Sequence, residues 1–312
     1  MIHPFLRHNI YGGLWYQGKL IFLNAKLWFC KICTLQGNLI LGLRITGSLF
    51  PLEKISFSKI HISGESNAGW NRDLYNCTFP ALISDWRSKW WDGFRPFGFV
   101  QLGNFIGNGG VVIRWHQTAD KASLLGNEAL PDVFYAVAMD TYDEPSGIHP
   151  RNKQIIGERL SMTGGLVAYG LEGPLQGPIP VSVVPNSQEF TVEFGFDTDI
   201  TYNNEETSGF WVCCSELDQC NNAWLWGELP REAVVQSGPT LSVDLKLAEL
   251  NPDPDLACAA DQVRQVAYLW ADNPVTVPLG APVYAVPLPP AIERLPAAPW
   301  VWDVNYDNPT PP

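Results

Sequence analysis

The rhythm of apolar residues changes near residue 173, and that change divides the chain. Before it, short apolar runs alternate with segments of helical length. Gly13-Leu14-Trp15-Tyr16 reads as a short buried strand. Asn71-Arg72-Asp73 opens a helix, in which Leu74, Cys77, Ala81, Leu82 and Trp86 recur at helical spacing on one face. Residues 97–102, bounded by Pro96 and Gly103, predict a second strand. Residues 133–139 predict a third, apolar on both faces as buried parallel strands are. From Pro150 to Tyr169 the pattern predicts a helix, with Pro150 at an N1-like position and Gly170 as its stop. Strand, helix, strand, strand, helix is half of a doubly wound α/β sheet. In such a sheet, functional groups belong beyond the carboxyl ends of the strands.

After residue 173 the period becomes two. Pro174, Pro178 and Pro180 mark a linker, and Phe190-Thr191-Val192-Glu193-Phe194 then alternates as a strand does. Phe210-Trp211-Val212 and Leu241-Ser242-Val243-Asp244-Leu245 repeat the pattern between Gly, Asn and Pro turns, which predicts an all-β unit over residues 173–273. The Pro-rich tail, residues 274–312, is expected to wind over the surface without regular structure.

Composition narrows the classes of partner. The 312 residues are 46% apolar with 13 Trp, enough to bury a large core. The net charge of −12 offers no basic stripe to neutralise phosphates, which excludes nucleic acid as a partner. No uninterrupted apolar run reaches the length of a membrane span. Asn76-Cys77-Thr78 fits the N-glycosylation acceptor pattern, with Asn76 as the acceptor, although such triplets also occur by chance. Vicinal Cys213 and Cys214, with Cys220 nearby, predict a disulfide region of the kind secreted proteins carry.

One motif is cut in two. Trp15-Tyr16-Gln17-Gly18 stops where a loop is expected, and Gly64-Glu65-Ser66-Asn67 resumes 45 residues later. Joined, the halves describe a strand running into a tight polar turn that carries a carboxylate, a hydroxyl and an amide. The joined motif resembles that of the sialate O-acetylesterases, within the wider SGNH-type serine esterases. Further blocks resemble the same family, in family order: Met1-Ile2-His3-Pro4, Asp73-Leu74-Tyr75-Asn76-Cys77-Thr78-Phe79-Pro80-Ala81-Leu82 and Pro96-Phe97-Gly98-Phe99-Val100-Gln101-Leu102. Ile113-Arg114-Trp115-His116-Gln117-Thr118-Ala119-Asp120, Ala136-Val137-Ala138-Met139-Asp140, Gly147-Ile148-His149-Pro150-Arg151-Asn152-Lys153-Gln154 and Cys213-Cys214-Ser215 continue it.

The interruption, residues 19–63, has its own composition. Its six basic residues and one acid give +5, so the remainder of the chain carries −17, the overall −12 less that +5. We read it as a translated, unremoved intron, since Gly18-Lys19 and Ser63-Gly64 can be encoded with donor-like and acceptor-like sequences; the competing reading is a lineage-specific loop. Transcript reads across residues 15–67 decide between them, and transcripts that always include the segment would end the intron reading. Cys30-x-x-Cys33 inside it lacks a second Cys or His pair at structural-zinc spacing, so no metal site is expected.

The resemblance implies the C-terminal part of an SGNH-type doubly wound parallel-sheet domain in residues 1–172, followed by the smaller all-β domain. It implies a serine esterase that removes O-acetyl groups from sialic acids or sialoglycans through an acyl-enzyme, with no metal or cofactor. It also implies a lysosomal or secreted protein, whose signal peptide is expected in an N-terminal part that this chain, beginning inside a family block, lacks.

Ester hydrolysis of this kind needs a nucleophile, a base, a group to orient the base, and oxyanion donors. His149 is the expected base, one turn beyond a buried strand and just before a helix. Related esterases often have Asp where this chain has Gly147, so the orienting duty is expected to pass to Glu65, or else to Asp140, Asp143 or Glu144. The Gly64 N–H and Asn67 are the candidate oxyanion donors. Arg114 can pair with the sialic carboxylate or be a solvated surface residue, and His116 is the alternative base. The family's nucleophile sits in a Gly-Gln-Ser-Asn-type block that these residues do not contain, and Ser66 lies in the wrong motif to replace it. The chain as written is therefore expected to be inactive; the reading from another class is a non-catalytic sialoglycan-binding module.

Overall fold

The computed structural model describes residues 13–15, 64–69, 72–89, 96–104, 109–118, 126–127, 130–143, 150–172, 177–214, 220, 225–286 and 294–304, with only the backbone described at 13–15, 64–66 and 89. Strands Gly13–Trp15 (β1), Phe97–Val100 (β2) and Val133–Ala136 (β3) form a parallel sheet in the order β1-β2-β3. The register sets Gly13 opposite Phe97 and Phe97 opposite Val133. Parallel neighbours need a crossover between them. Between β1 and β2 this includes Gly64–Gly69 (α1) and Tyr75–Lys89 (α2); between β2 and β3 it is Gly110–Gln117 (α3). The sequence pattern had β3 following β2 directly. Helix α3 corrects it, and strand and helix alternate throughout this part.

Both faces of β3 are covered, as its unbroken apolar sequence requires. Val133 and Tyr135 join the main core, while Phe134 and Ala136 meet Ile155, Ile156 and Leu160 of helix Gln154–Tyr169 (α4). On the α2 side, Phe79 stands edge-on to Phe99 with ring centroids 5.1 Å apart and also stacks on Tyr75 at 5.4 Å. The buried seam of α2 is Tyr75, Phe79 and Ile83, one residue out of step with the expected Leu74, Cys77, Ala81, Leu82 and Trp86. The reason is local. Arg72–Leu74 form a 3-10 turn, and the large rings at Tyr75 and Phe79 take the centre while Leu82 and Trp86 pack from the flank. Helix α4 begins at Gln154 behind Lys153 rather than at Pro150. It ends as expected at Gly170, whose φ of 65° lets the chain reverse and return N–H groups to Leu166 and Gly165.

The remainder is antiparallel. Pro180–Asn186 (β4), Thr191–Phe196 (β5), Val234–Ser237 (β9) and Thr240–Asp244 (β10) form one sheet in the order β4-β5-β10-β9. Phe210–Cys213 (β7), Trp226–Glu228 (β8), Gln265–Tyr268 (β11) and Trp300–Asp303 (β13) form another, β13-β11-β7-β8. Asp199–Tyr202 (β6) pairs with Val283–Val286 (β12). Their inward residues include Phe194, Phe210, Tyr268 and Trp300, with Phe194 and Trp300 only 4.6 Å apart.

The expected irregular tail is corrected here, because β12 and β13 both lie in it. Its prolines sit outside these two strands, where no ladder N–H is lost, and Trp300 and Trp302 alternate inward from β13. Cys213 is bonded to Cys220 and Cys214 to Cys258; Cys77 is also disulfide-bonded. No helix among the described residues is long and apolar enough to cross a membrane.

Candidate active site

The structure describes some of the expected site residues. His149, Gly147 and Glu144 lie outside the described residues. The segment Gly64-Glu65-Ser66-Asn67, expected as a turn, is instead the opening of helix α1, and Asn67 is buried. First-turn N–H groups have no carbonyl to meet within their own helix, so the change of shape keeps the Gly64 N–H a candidate donor. Helix α1 packs against α3, the helix of Arg114 and His116. The approach is close: at Gly109, which caps α3 with φ 105°, a Cβ would lie 2.5 Å from the Ala68 carbonyl oxygen. Only glycine allows the two backbones to meet there.

Arg114 is not a solvated surface residue. It is fully buried on α3, and its guanidinium donates to the carbonyls of Gly103, at 3.3 Å, and of Ala271. Burial pulls its pKa down to about 10 against the opposing charge of Asp272. Arg114 therefore ties the end of β2 to the loop after β11. Asp272 works from the same loop, accepting from the N–H groups of Gly109 (3.1 Å) and Val111 (3.0 Å) at the start of α3. A carboxylate there satisfies donors the helix leaves open and suits its dipole. His116 is also buried, and its neighbour Gln117 clasps the end of β2, accepting from the Leu102 N–H and donating to the Val100 carbonyl.

Two of the alternative orienting acids, Asp140 and Asp143, are already engaged. Asp140 has no exposed surface, and Arg159 of α4 holds both its oxygens at 2.6 and 2.8 Å. The Tyr284 hydroxyl donates to the same carboxylate at 2.8 Å. Burial, followed by Asp140, holds that phenol well above its ordinary pKa, so it remains a donor. Asp143 accepts from the Arg151 backbone N–H (2.7 Å), Nε (2.9 Å) and Nη2 (2.8 Å). It closes the two ends of the segment that contains His149.

These hydrogen bonds to Arg151 hold the Asp143 carboxyl down at about 2, against an ordinary 3.8. A depressed folded-state pKa contributes stability above the unfolded value and loses it as pH falls through the folded one. The clasp should therefore persist at pH 4 and above and open as pH falls from about 4 to about 2. Exchange of the Arg151 amide proton across that range measures it, and Asp143→Asn should abolish the transition. An amide whose protection ignores both pH and the substitution would show that the loop is held by something else.

Asn76 lies in the first turn of α2, half-buried, rather than in the surface loop expected of a glycan acceptor. Periodicity also gave no sign of two groups at the strand ends. Gln101, just beyond β2, is 1% exposed, and its Oε1 has no hydrogen-bond partner among the described residues. Asp272 is distant in sequence from every catalytic block, and only its loop brings it to α3.

Comparisons with known proteins bear on the family and the fold. Residues 180–304 match the sialate O-acetylesterase C-terminal domain, from the first residue of β4 to just past β13. The sialate O-acetylesterase of Rattus norvegicus is 35% identical over 243 residues, covering 72% of this chain and 42% of its own. That of Mus musculus is 33% identical over 267 residues, covering 79% and 46%, and that of Homo sapiens 33% over 248, covering 73% and 44%. The chain belongs to the sialate O-acetylesterase family. It spans less than half the length of these relatives. A carbohydrate acetylesterase from Xanthomonas citri shares the fold, with a TM-score of 0.59 at 22% identity over 97% of this chain and 52% of its own. The family resemblance read from the motif blocks thus holds, and the fold is mixed α/β with a parallel sheet followed by antiparallel ones.

Proposed function

We propose that this chain is part of a sialate O-acetylesterase, which hydrolyses O-acetyl esters of sialic acids through a serine acyl-enzyme. The observation that carries the reading is the 33–35% identity to sialate O-acetylesterases across most of the chain. The parallel strands β2 and β3, which lie in or run into matching motif blocks at residues 96–102 and 136–140, support it. On this reading residues 1–172 belong to an SGNH-type doubly wound domain and the β-rich remainder is its C-terminal companion. His149 is the base, Glu65 orients it, and the Gly64 N–H and Asn67 face the oxyanion. The serine comes from a Gly-Gln-Ser-Asn-type segment joined to these residues. The disulfides Cys213–Cys220 and Cys214–Cys258 favour an oxidising compartment, lysosomal or secreted.

The 312 residues alone should give no turnover of an acetyl-ester reporter, and labelling by a serine-directed inhibitor would overturn that, with Ser66 the first suspect. Joined to the nucleophile segment, with residues 19–63 excised, the chain should hydrolyse 9-O-acetyl sialic acid. Glu65→Gln in that protein keeps the side chain's shape and removes the charge that steadies the imidazolium. It should lower kcat at least tenfold with KM little changed, because the charge matters most in the transition state. A loss of thermal stability with normal turnover per folded molecule would reduce Glu65 to a structural residue.

A further inference from the structure

A cavity of about 100 Å³ lies between the start of α3 and the β7–β8 edge of the second antiparallel sheet. Its wall is aromatic. Trp211 and Trp226 stand diagonally on one face of β7 and β8, since Trp211 pairs with Glu228 and Cys213 with Trp226. Trp270 completes the wall from the loop after β11. At the rim are two charges of opposite sign, Arg72 and Asp272.

Trp226, Trp270 and Asp272 are held by the protein itself. The Trp226 Nε1–H donates to the Cys220 carbonyl at 2.8 Å. Trp270 stands edge-on to Trp115 of α3, with centroids 5.8 Å apart at 81°. Asp272 is held by the α3 N–H groups already described, and Leu269 turns the loop toward α3 at φ 49°, a conformation a branched side chain adopts only when its surroundings impose it. Arg72 is different. Its side chain keeps 41% of its surface exposed and lies 3.7 Å from the still more exposed Asp73.

Indole faces with a few convergent polar groups are how proteins bury a small polar ligand, and the C–H face of a pyranose fits such a wall. The size admits one end of a sugar: a cavity of about 150 Å³ takes a benzene ring. The seam at Gly109 and Ala68 sets the cavity beside helix α1 and Asn67. We propose that this cavity is the subsite for an acidic sugar, with Arg72, in place of the buried Arg114, facing the sugar carboxylate and Asp272 accepting from its hydroxyl or acylamino groups. The assignment rests on the sialate reading of the site, and it makes Arg72 a specificity determinant rather than a catalytic residue.

Tryptophan fluorescence of the 312-residue chain tests it. N-acetylneuraminic acid should give a saturable change, and N-acetylmannosamine, which lacks the carboxylate, should bind about tenfold more weakly. Arg72→Gln should weaken N-acetylneuraminic acid by about tenfold and leave N-acetylmannosamine unaffected, and Arg72→Lys should restore part of the loss. Equal binding of the acid by the wild type and Arg72→Gln, or no saturable signal from either sugar, would overturn the subsite. The two readings fail separately. No ester hydrolysis by the chain joined to its nucleophile segment, with Arg72-dependent binding intact, sinks the esterase reading alone, and hydrolysis by that chain with Arg72-independent binding sinks the subsite alone.

Discussion

In the chain joined to its nucleophile segment, His149→Ala should lower kcat by about three orders of magnitude or more while leaving sugar binding nearly intact. Removing a triad member leaves only the residual catalysis of the oxyanion donors and binding groups. His116→Ala should cost far less in turnover. His116 is buried on α3, so its removal should appear mainly as lost stability. Steady-state kinetics and thermal melts on the two variants separate these outcomes. Equal losses of kcat from both changes would mean that the wrong histidine has been assigned.

The second large effect is on folding. Asp140→Ala should destabilise the protein by about 3–5 kcal/mol in a denaturant titration, because it strands Arg159 in the interior. Arg159 is 4% exposed and also donates to the carbonyls of Val137 (2.8 Å) and Arg294 (2.8 Å), so it cannot turn to water without breaking them. The Tyr284 hydroxyl would lose its acceptor as well. Asp140→Asn keeps the shape and part of the hydrogen bonding and should cost less. If Asp140→Ala unfolded at the wild-type midpoint, the pair would be contributing nothing net. The same network removes Asp140 as an orienter of His149, since its lone pairs are already directed at Arg159 and Tyr284.

How far the sequence revealed this follows from the length scale of each feature. The three parallel strands and the stop of α4 were legible because apolar runs and a terminal glycine are local signals. The α2 seam was misjudged by one residue because helical spacing alone offered two adjacent faces, and the rings of Phe79 and Phe99 chose between them. Helix α3 was missed because it is short, opens on two glycines and carries buried Arg114 and His116 where apolar residues are expected. Arg114 and Gln117 bond to the end of β2, the residues just beyond it and the loop after β11, which no local pattern announces. The tail was misjudged on composition, since prolines outside a strand say little about the strand itself. At the site, the motif blocks named Glu65, Asn67 and His149. Arg72, Asp272 and Trp270 were invisible because they converge only through the docking of the loop after β11 on α3. Arg114 shows the converse, a residue in a family block whose service is to packing.

Neighbouring half-cystines at the end of β7 bind in different directions, Cys213 to Cys220 just before β8 and Cys214 to Cys258 before β11. The carbonyl that holds Trp226 belongs to Cys220 itself. The indole wall thus inherits its shape from an oxidative event completed during maturation. A chain made in a thiol-rich compartment would release Cys220 and free Trp226 to swing, even with every hydrophobic contact of the sheets in place. Sugar recognition would then report where the protein was made, and material recovered from a reducing host would have the fold before it has the pocket.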